Sequence, residues 1–186
     1  MKRSLNGFLS AALVCAVLLG AVLLGAVLGC AGQLWAATWP ESCGADTVQF
    51  NVKTEASTAS VAAPEAGKAQ IIFIETQNQM VTPFSHATIR FGVDGAWAGA
   101  NKGNSYFVFA LEPGVHHLCA SWQSELDRLK KFVELTSFTA EPGQVYYFAT
   151  RITAGRDALL FDFSPLNDDE GKYLVQDLKV STWKAK

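Results

Sequence analysis

The chain has 186 residues, with 15 basic and 17 acidic side chains and a formal net charge of −2 at pH 7. This length suits one domain behind an apolar N-terminal segment, and it excludes a (β/α)₈ barrel and most two-domain enzymes. The slight acidity, without a cluster of lysine and arginine, excludes a nucleic-acid partner and is too weak for a disordered acidic chain.

The first segment of the chain has the pattern of a membrane-targeting signal. Two basic residues at positions 2 and 3 precede an uncharged apolar run over residues 8–28. The run ends in Val27-Leu28-Gly29-Cys30, which looks like a bacterial lipobox, in which a small residue precedes the cysteine that accepts the lipid. We therefore expect residues 1–29 to be a lipoprotein-type signal peptide and Cys30 to be lipidated.

Two alternatives to this N-terminal prediction stay open. The apolar run is long enough to span a bilayer as an uncleaved anchor. Ordinary secretory cleavage further along, for instance after Ala37, is the other alternative. Lipidation or an anchor would hold the protein at a membrane of the cell envelope, facing the periplasm or the exterior, with residues 30–45 as a tether.

The four cysteines divide into two groups. Cys15 lies in the apolar run and Cys30 in the lipobox, which leaves Cys43 and Cys119. In an oxidising compartment these two predict a disulfide that joins the N-terminal arm to the main sheet. The alternative is two separately buried thiols. The sequence has no Cys-x-x-Cys pair and no cluster of cysteine and histidine, so we expect no metal site.

The rest of the chain is rich in predicted strands. Alternation of apolar and polar residues predicts one half-buried strand over residues 46–53, and a flexible connection follows up to residue 67. Residues 68–180 form the predicted main domain. Apolar runs separated by turn residues predict its strands: Ile71–Glu75, Thr88–Val93, Ala96–Ala100, Tyr106–Leu111, Val115–Trp122, Phe132–Ala140, Gln144–Ile152 and Leu159–Phe163.

Three turn motifs indicate how these strands connect. Asp94-Gly95 is typical of a type I′ hairpin turn, in which both central residues need a positive φ. Glu112-Pro113-Gly114 and Glu141-Pro142-Gly143 each predict a type II turn that closes a hairpin. The charged residues 123–131 predict a loop or a single helical turn.

A helix is predicted after the last of these strands. Asn167 and the acidic residues after it favour a helix start, and residues 168–179 would bury Leu174 and Leu178, although Gly171 weakens the prediction. The short strands without βαβ alternation predict an all-β fold: an antiparallel β-sandwich, immunoglobulin-like or transthyretin-like, with a short C-terminal helix. The predicted core contains Phe107, Phe109, Leu111, Tyr147, Ile152 and Phe161.

The main domain also resembles a known bacterial family. The stretch from Lys68 to Val175 resembles the uncharacterised domain of unknown function 2846, and part of it is similar to small surface β-domains of the PEGA type. The resemblance implies a β-sandwich in the cell envelope, often on a lipoprotein, and implies no activity. It rests on Ala69–Ile74, Phe91–Gly95, Asn104–Phe107, Leu111–His117, Ala140–Phe148 and Glu170-Gly171.

The sequence offers no catalytic constellation. It has neither a Gly-x-Ser-x-Gly nor a His-Glu-x-x-His motif. His116 and His117 are adjacent in a predicted strand, so their side chains point to opposite faces and cannot share a metal ion or act as one acid–base pair. We therefore expect no catalytic residues, no metal and no cofactor.

The best binding candidates lie around one predicted hairpin. A tryptophan with neighbouring amides could stack on a sugar or peptide and hydrogen-bond to it. The alternative is a core tryptophan with turn asparagines. The candidates are Trp97, Asn101, Lys102, Asn104 and Tyr106.

The predicted function is a non-catalytic, membrane-tethered envelope domain with a binding or scaffolding role. Its partners would be the membrane, through the lipid anchor, and an envelope protein or glycan. Two alternatives differ from it: a module that binds carbohydrate, peptidoglycan or peptide, and an envelope hydrolase with an unusual site.

Overall fold

The computed structural model describes residues 38–56, 61–77, 86–154 and 158–186. The predicted signal peptide, Cys30 and most of the predicted tether lie outside these residues. Trp39–Lys186 form one compact unit. Within the described ranges, no helix has the length and apolar content that a membrane span needs.

Short strands dominate this unit, because apolar and polar residues alternate between closely spaced turns. In the part of the unit that the structure describes, two short helices interrupt them: α1, Asp127–Lys130, and α2, Asp168–Asp177. The strands of the described part are β1 Phe50–Glu55, β2 Ala69–Gln77, β3 Thr88–Val93, β4 Ala96–Lys102, β5 Ser105–Leu111, β6 Gly114–Gln123, β7 Val133–Ala140, β8 Val145–Ala154, β9 Leu159–Leu166 and β10 Lys179–Ala185.

The strands form two sheets that pack as a sandwich, which confirms the predicted fold class. One sheet has six strands in the order β1-β10-β5-β2-β8-β9, and the other has four in the order β4-β3-β6-β7. Most neighbouring strands are antiparallel, but β2 runs parallel to β8 and β10 runs parallel to β5. Parallel neighbours need crossover connections, which the predicted succession of hairpins does not contain.

The turn motifs have different outcomes. Asp94 and Gly95 have φ angles of 50° and 87°, and they close the β3–β4 hairpin as predicted. The prediction that both Glu-Pro-Gly motifs close hairpins is wrong, because each carries the chain from one sheet to the other. Gly143 has the positive φ of a type II turn, 76°, whereas Gly114 at 146° lies outside that geometry.

The core between the sheets is built on phenylalanine. Phe73 lies 4.9 Å from Phe91 and 5.2 Å from Phe107, measured between ring centroids, and all three side chains are buried. Of the predicted core residues, four are buried between the sheets and Phe109 is partly buried there. Tyr147 is buried in a different cluster. The four are Phe107, Leu111, Ile152 and Phe161.

Helix α2 covers the outer face of the six-stranded sheet. The Asn167 side chain accepts a hydrogen bond from the Glu170 amide at 2.9 Å, which confirms the predicted helix start. Leu174 and Leu178 are partly buried against this face, on which Tyr147 lies. A Cβ atom at Gly171 would lie 2.2 Å from the Tyr147 ring, so glycine lets the helix approach the sheet closely.

Strand β10 is missing from the predicted elements. It separates β1 from β5, and it begins where the predicted helix still continues. Trp183 on this strand packs 4.5 Å from Phe107 between ring centroids. A Cβ atom at Gly99 would lie 2.6 Å from the Trp183 ring, so this glycine makes room for the indole.

Candidate functional site

The arm, residues 39–49, lies across the outer face of the four-stranded sheet. Phe91 and Leu118 point into the core, so the alternate residues of β3 and β6 face the arm. Cys43 forms a disulfide with Cys119 of β6, with the two Cα atoms 5.2 Å apart. A Cβ atom at Gly92 would lie 2.9 Å from the Ser42 carbonyl oxygen, so only glycine permits this approach.

Arg90 of β3 binds the arm beside the disulfide. Its Nη1 donates to the carbonyl oxygens of Asp46 at 2.8 Å and Val48 at 2.7 Å, and its Nη2 donates to Ser121 Oγ at 2.9 Å. Only 5% of the residue is exposed. Burial lowers the pKa of Arg90, and the nearby Asp46 carboxylate acts in the opposite direction. Arginine stays protonated in proteins, so the arm is held by a buried cation.

Two tryptophans lie against the Arg90 guanidinium. Its Cζ atom lies 4.5 Å from the ring centroid of Trp97 and 5.6 Å from that of Trp39, within the range of cation–π attraction. Trp97 Nε1 donates to the Ala45 carbonyl oxygen at 2.8 Å, and Trp39 Nε1 donates to the Gly44 carbonyl oxygen at the same distance. We call Arg90, Trp39, Trp97 and Ser121 the Arg90 clamp.

The five predicted binding residues do not form one exposed surface. Asn101 and Tyr106 are buried, so the prediction that they contact a ligand on the surface is wrong. Lys102 and Asn104 are exposed, and Asn104 Oδ1 accepts a hydrogen bond from the Gln77 amide at 2.8 Å. Trp97 is partly exposed, but its indole N–H is bound to the arm.

A buried polar cluster lies at the end of β2. Glu75 is fully buried, and its Oε1 accepts from Gln77 Nε2 at 2.6 Å. Burial raises the pKa of the Glu75 carboxyl well above its usual value, although hydrogen bonds from Gln77 and from the Gly103 backbone act against that shift. Among the described residues, Glu75 Oε2, Gln77 Oε1 and Asn101 Oδ1 of this cluster are buried without a hydrogen-bond partner, as is Arg90 Nε on the arm side.

Asp94 and His116 form a close pair at the β3–β4 turn. Asp94 Oδ2 lies 2.6 Å from His116 Nδ1, and His116 Nε2 lies 2.7 Å from the Glu112 carbonyl oxygen. Burial opposes ionisation of Asp94, but hydrogen bonds from the His117 amide and the His116 ring outweigh it, so the pKa of Asp94 is lowered. Both ring nitrogens of His116 therefore lie within hydrogen-bond distance of an oxygen.

The two adjacent histidines lie apart, as β-strand geometry predicts. The His116 ring packs 6.0 Å from Phe138 between centroids, whereas His117 is exposed. Within the ranges that the structure describes, no group of three or more histidine, cysteine, aspartate or glutamate side chains could hold a metal ion.

Sequence reasoning found part of this arrangement. It paired Cys43 with Cys119, and the structure contains that disulfide. It missed Arg90 and Glu75, although each is a charged residue directly next to the apolar residues of its strand, and that was the available signal. A charge on a buried strand requires a specific partner or a shifted pKa.

No protein-family model, curated protein or solved structure matches the chain. The resemblance to the domain of unknown function 2846 stays a prediction.

Proposed function

We propose that the protein is a non-catalytic, membrane-tethered domain of the cell envelope with a binding or scaffolding role. One observation carries the proposal: the arm that follows the lipobox is fastened to the sandwich by the Cys43–Cys119 disulfide and by the Arg90 clamp. A disulfide in this position suits an oxidising compartment outside the cytoplasm.

The fastening has a mechanical rationale. Strand β1 follows the arm and, within the described part of the chain, has one strand neighbour, β10, so tension applied through a tether would peel β1 from the sheet edge. The disulfide and Arg90 lie before β1 in the chain and connect the arm to β6 and β3 instead. A pull on the N-terminal side is therefore borne by the four-stranded sheet, which is useful in a protein anchored at that end.

The geometry also supports a non-catalytic role over the hydrolase alternative. The nitrogens of His116 are both engaged, and Glu75 is fully buried. The glycan-binding alternative loses support at Trp97, because its indole N–H binds the arm and its ring lies against Arg90. These contacts assign Trp97 a role in holding the arm.

Intact-mass analysis of the protein purified from bacterial membranes tests the tether. We expect a mature chain that begins at Cys30 and carries the mass of a diacylglyceryl group, and we expect Cys30→Ser to abolish this modification. Cys15→Ser is the matched control, because that residue lies within the predicted signal peptide. A mature N-terminus at another position, or an unmodified Cys30, would refute the proposed lipid anchor.

A further inference from the structure

Strand β5 is paired unequally on its two sides. On one side β2 pairs with β5 along its whole length, from Ser105 to Leu111. On the other side β10 pairs only with Ser105 and Tyr106, and it then continues along β1. In the described part of the chain, residues 107–111 therefore have no strand neighbour on this side. We call this segment the open edge of β5.

The alternation of backbone groups shows which residues face the open edge. The Lys179 amide donates to the Asn104 carbonyl oxygen at 3.4 Å, so Asn104 directs its backbone toward β10. Successive residues of a strand direct their backbone N–H and C=O groups to opposite sides of the strand. The backbone groups of Val108 and Ala110 therefore point to the same side as those of Asn104, where β10 no longer pairs with β5. Both residues are exposed, Val108 by 40%.

A cavity of about 280 Å³ lies beside the open edge. Trp97, Phe109 and Leu111 contribute its apolar wall, and Asp94 and Glu112 lie among its charged residues. This volume is smaller than that of most drug-sized ligand sites and suits one or two side chains. The cavity thus lies where a strand added to β5 would direct its inward side chains.

The charged residues around the cavity favour a basic ligand. Lys68 also lines it, but Lys68 lies 3.3 Å from Glu65 and 3.7 Å from Glu112. His116 is bound to Asp94. The two carboxylates that line the cavity, Asp94 and Glu112, therefore outnumber its one lysine.

Two other sheet edges are protected, in contrast to this one. On β1, the Gln123 side chain donates to the Phe50 carbonyl oxygen at 3.0 Å and accepts from the Phe50 amide at 2.7 Å. On β9, Pro165 and the charged Asp162 interrupt the edge. Proline, charges and side-chain caps are the usual means by which proteins prevent unwanted strand pairing.

We propose that the open edge of β5 binds an extended, basic and apolar peptide segment of a partner protein. The segment adds a strand beside Val108 and Ala110 and places one apolar side chain in the cavity. Backbone hydrogen bonds supply affinity in this mode, and the pocket supplies specificity. The inference deepens the binding role proposed above and rests on it.

The test uses the full-length protein in lipid nanodiscs and the acetylated, amidated peptide Lys-Val-Lys-Phe-Lys-Val. Val108→Pro removes the N–H that faces the open edge but no hydrogen bond to β2, and Val108→Ala is the matched control that keeps this N–H. By calorimetry, we expect Val108→Pro to weaken binding about tenfold or more and Val108→Ala to change it by about twofold or less.

A second measurement keeps the proposal testable even if the proline variant does not fold. Two versions of the peptide are prepared, one N-methylated at its odd-numbered residues and the other at its even-numbered residues. Strand pairing predicts that one version loses binding and the other keeps it. It also predicts that the bound peptide slows amide exchange at Val108 and Ala110 by about tenfold or more.

Four results would overturn the proposal. They are no binding at about 1 mM peptide, equal binding by the proline and alanine variants, equal binding of both methylated peptides, and self-association of the protein that Val108→Pro abolishes. The last result would mean that a second copy of the chain occupies the edge. None of them bears on the lipid mass at Cys30, so a failure here is distinguishable from a failure of the proposed tether.

Discussion

The arm side of the four-stranded sheet and the Glu75 cluster both bury an ionisable side chain, but in opposite ways. Arg90 donates three hydrogen bonds, to two arm carbonyls and to Ser121, and its Nε is the one guanidinium nitrogen without an acceptor among the described residues. Glu75 has one oxygen without a hydrogen-bond partner in the described part, and burial raises its pKa. A buried cation can thus fasten two segments together, whereas burial of this acid favours its neutral form.

The largest expected effect comes from breaking the covalent part of the arm contact. The disulfide spans a sequence separation of 76 residues, for which the loop-entropy model gives a stabilisation of about 4–5 kcal/mol. We expect the double variant Cys43→Ala, Cys119→Ala to lose about this much free energy of unfolding in urea titrations. The wild-type protein is the reference, and equal stability of the double variant and the wild type would contradict a structural role for the bond.

Removal of the buried cation should have the next largest effect. Arg90→Met keeps the length of the side chain but leaves the Asp46 and Val48 carbonyls and Ser121 Oγ without their donor. We expect a loss of about 2–4 kcal/mol in urea denaturation. Limited proteolysis should also cut the arm of this variant faster, whereas Arg128→Met, at an exposed position, should leave the arm protected. An arm that is equally protected in both variants would show that the disulfide alone holds it.

A substitution outside the arm contact and the Glu75 cluster provides a reference for the size of these stability losses. Gly171→Ala would place a Cβ atom against the Tyr147 ring, and overpacking of this kind costs about 1–3 kcal/mol. We expect this loss to be the same at pH 4 and pH 7 in urea titrations. Gln176→Ala, at an exposed position on the same helix, should cost far less. Equal effects of the two substitutions would contradict the close approach of helix and sheet.

The smallest expected effect is a change of pH dependence at Glu75. Its pKa in the folded protein lies above the usual 4.5, so folding favours the protonated acid. The contribution of Glu75 to stability is therefore fully present below about pH 4.5 and is lost as the pH rises toward the folded-state pKa. Glu75→Gln, which stays neutral, should remove this loss, so the urea midpoint of the variant relative to wild type should rise between pH 4 and pH 7.

Gln123→Glu provides the control for the Glu75 experiment. This substitution replaces an amide with a carboxyl group, the reverse of Glu75→Gln, at a position whose side chain binds the Phe50 backbone. It should not flatten the pH dependence. An unchanged pH profile in Glu75→Gln would show that the buried acid does not couple to stability.

Local signals predicted the elements that depend on neighbouring residues. The Asp94-Gly95 turn, the Asn167 helix start and most strands follow from short patterns, and the structure contains them. The two Glu-Pro-Gly motifs show the limit of such patterns. They indicate that the chain reverses, but whether the next strand pairs with the last one or faces it across a core depends on distant strands.

The candidate site depends on contacts between segments that are far apart in the sequence, and no local pattern reveals such contacts. Alternation places Asn101 and Tyr106 on defined faces of their strands, but it cannot show that other elements cover both faces. The role of Arg90 depends on carbonyl groups more than 40 residues earlier in the chain. Cys43 and Cys119 were the exception, because only two cysteines remained once the N-terminal ones were set aside.

The pairing of β1 with β10 has a consequence for how the chain matures. Phe50 lies opposite Ala185 in this pair, and among the described strands only β10 lies beside β1. A polypeptide that crosses a membrane N-terminus first would present β1 early, with no strand to receive it. This part of the six-stranded sheet can assemble only after β10 has emerged, so the disulfide and Arg90 would hold the segment before β1 in place until the C-terminal strand is available.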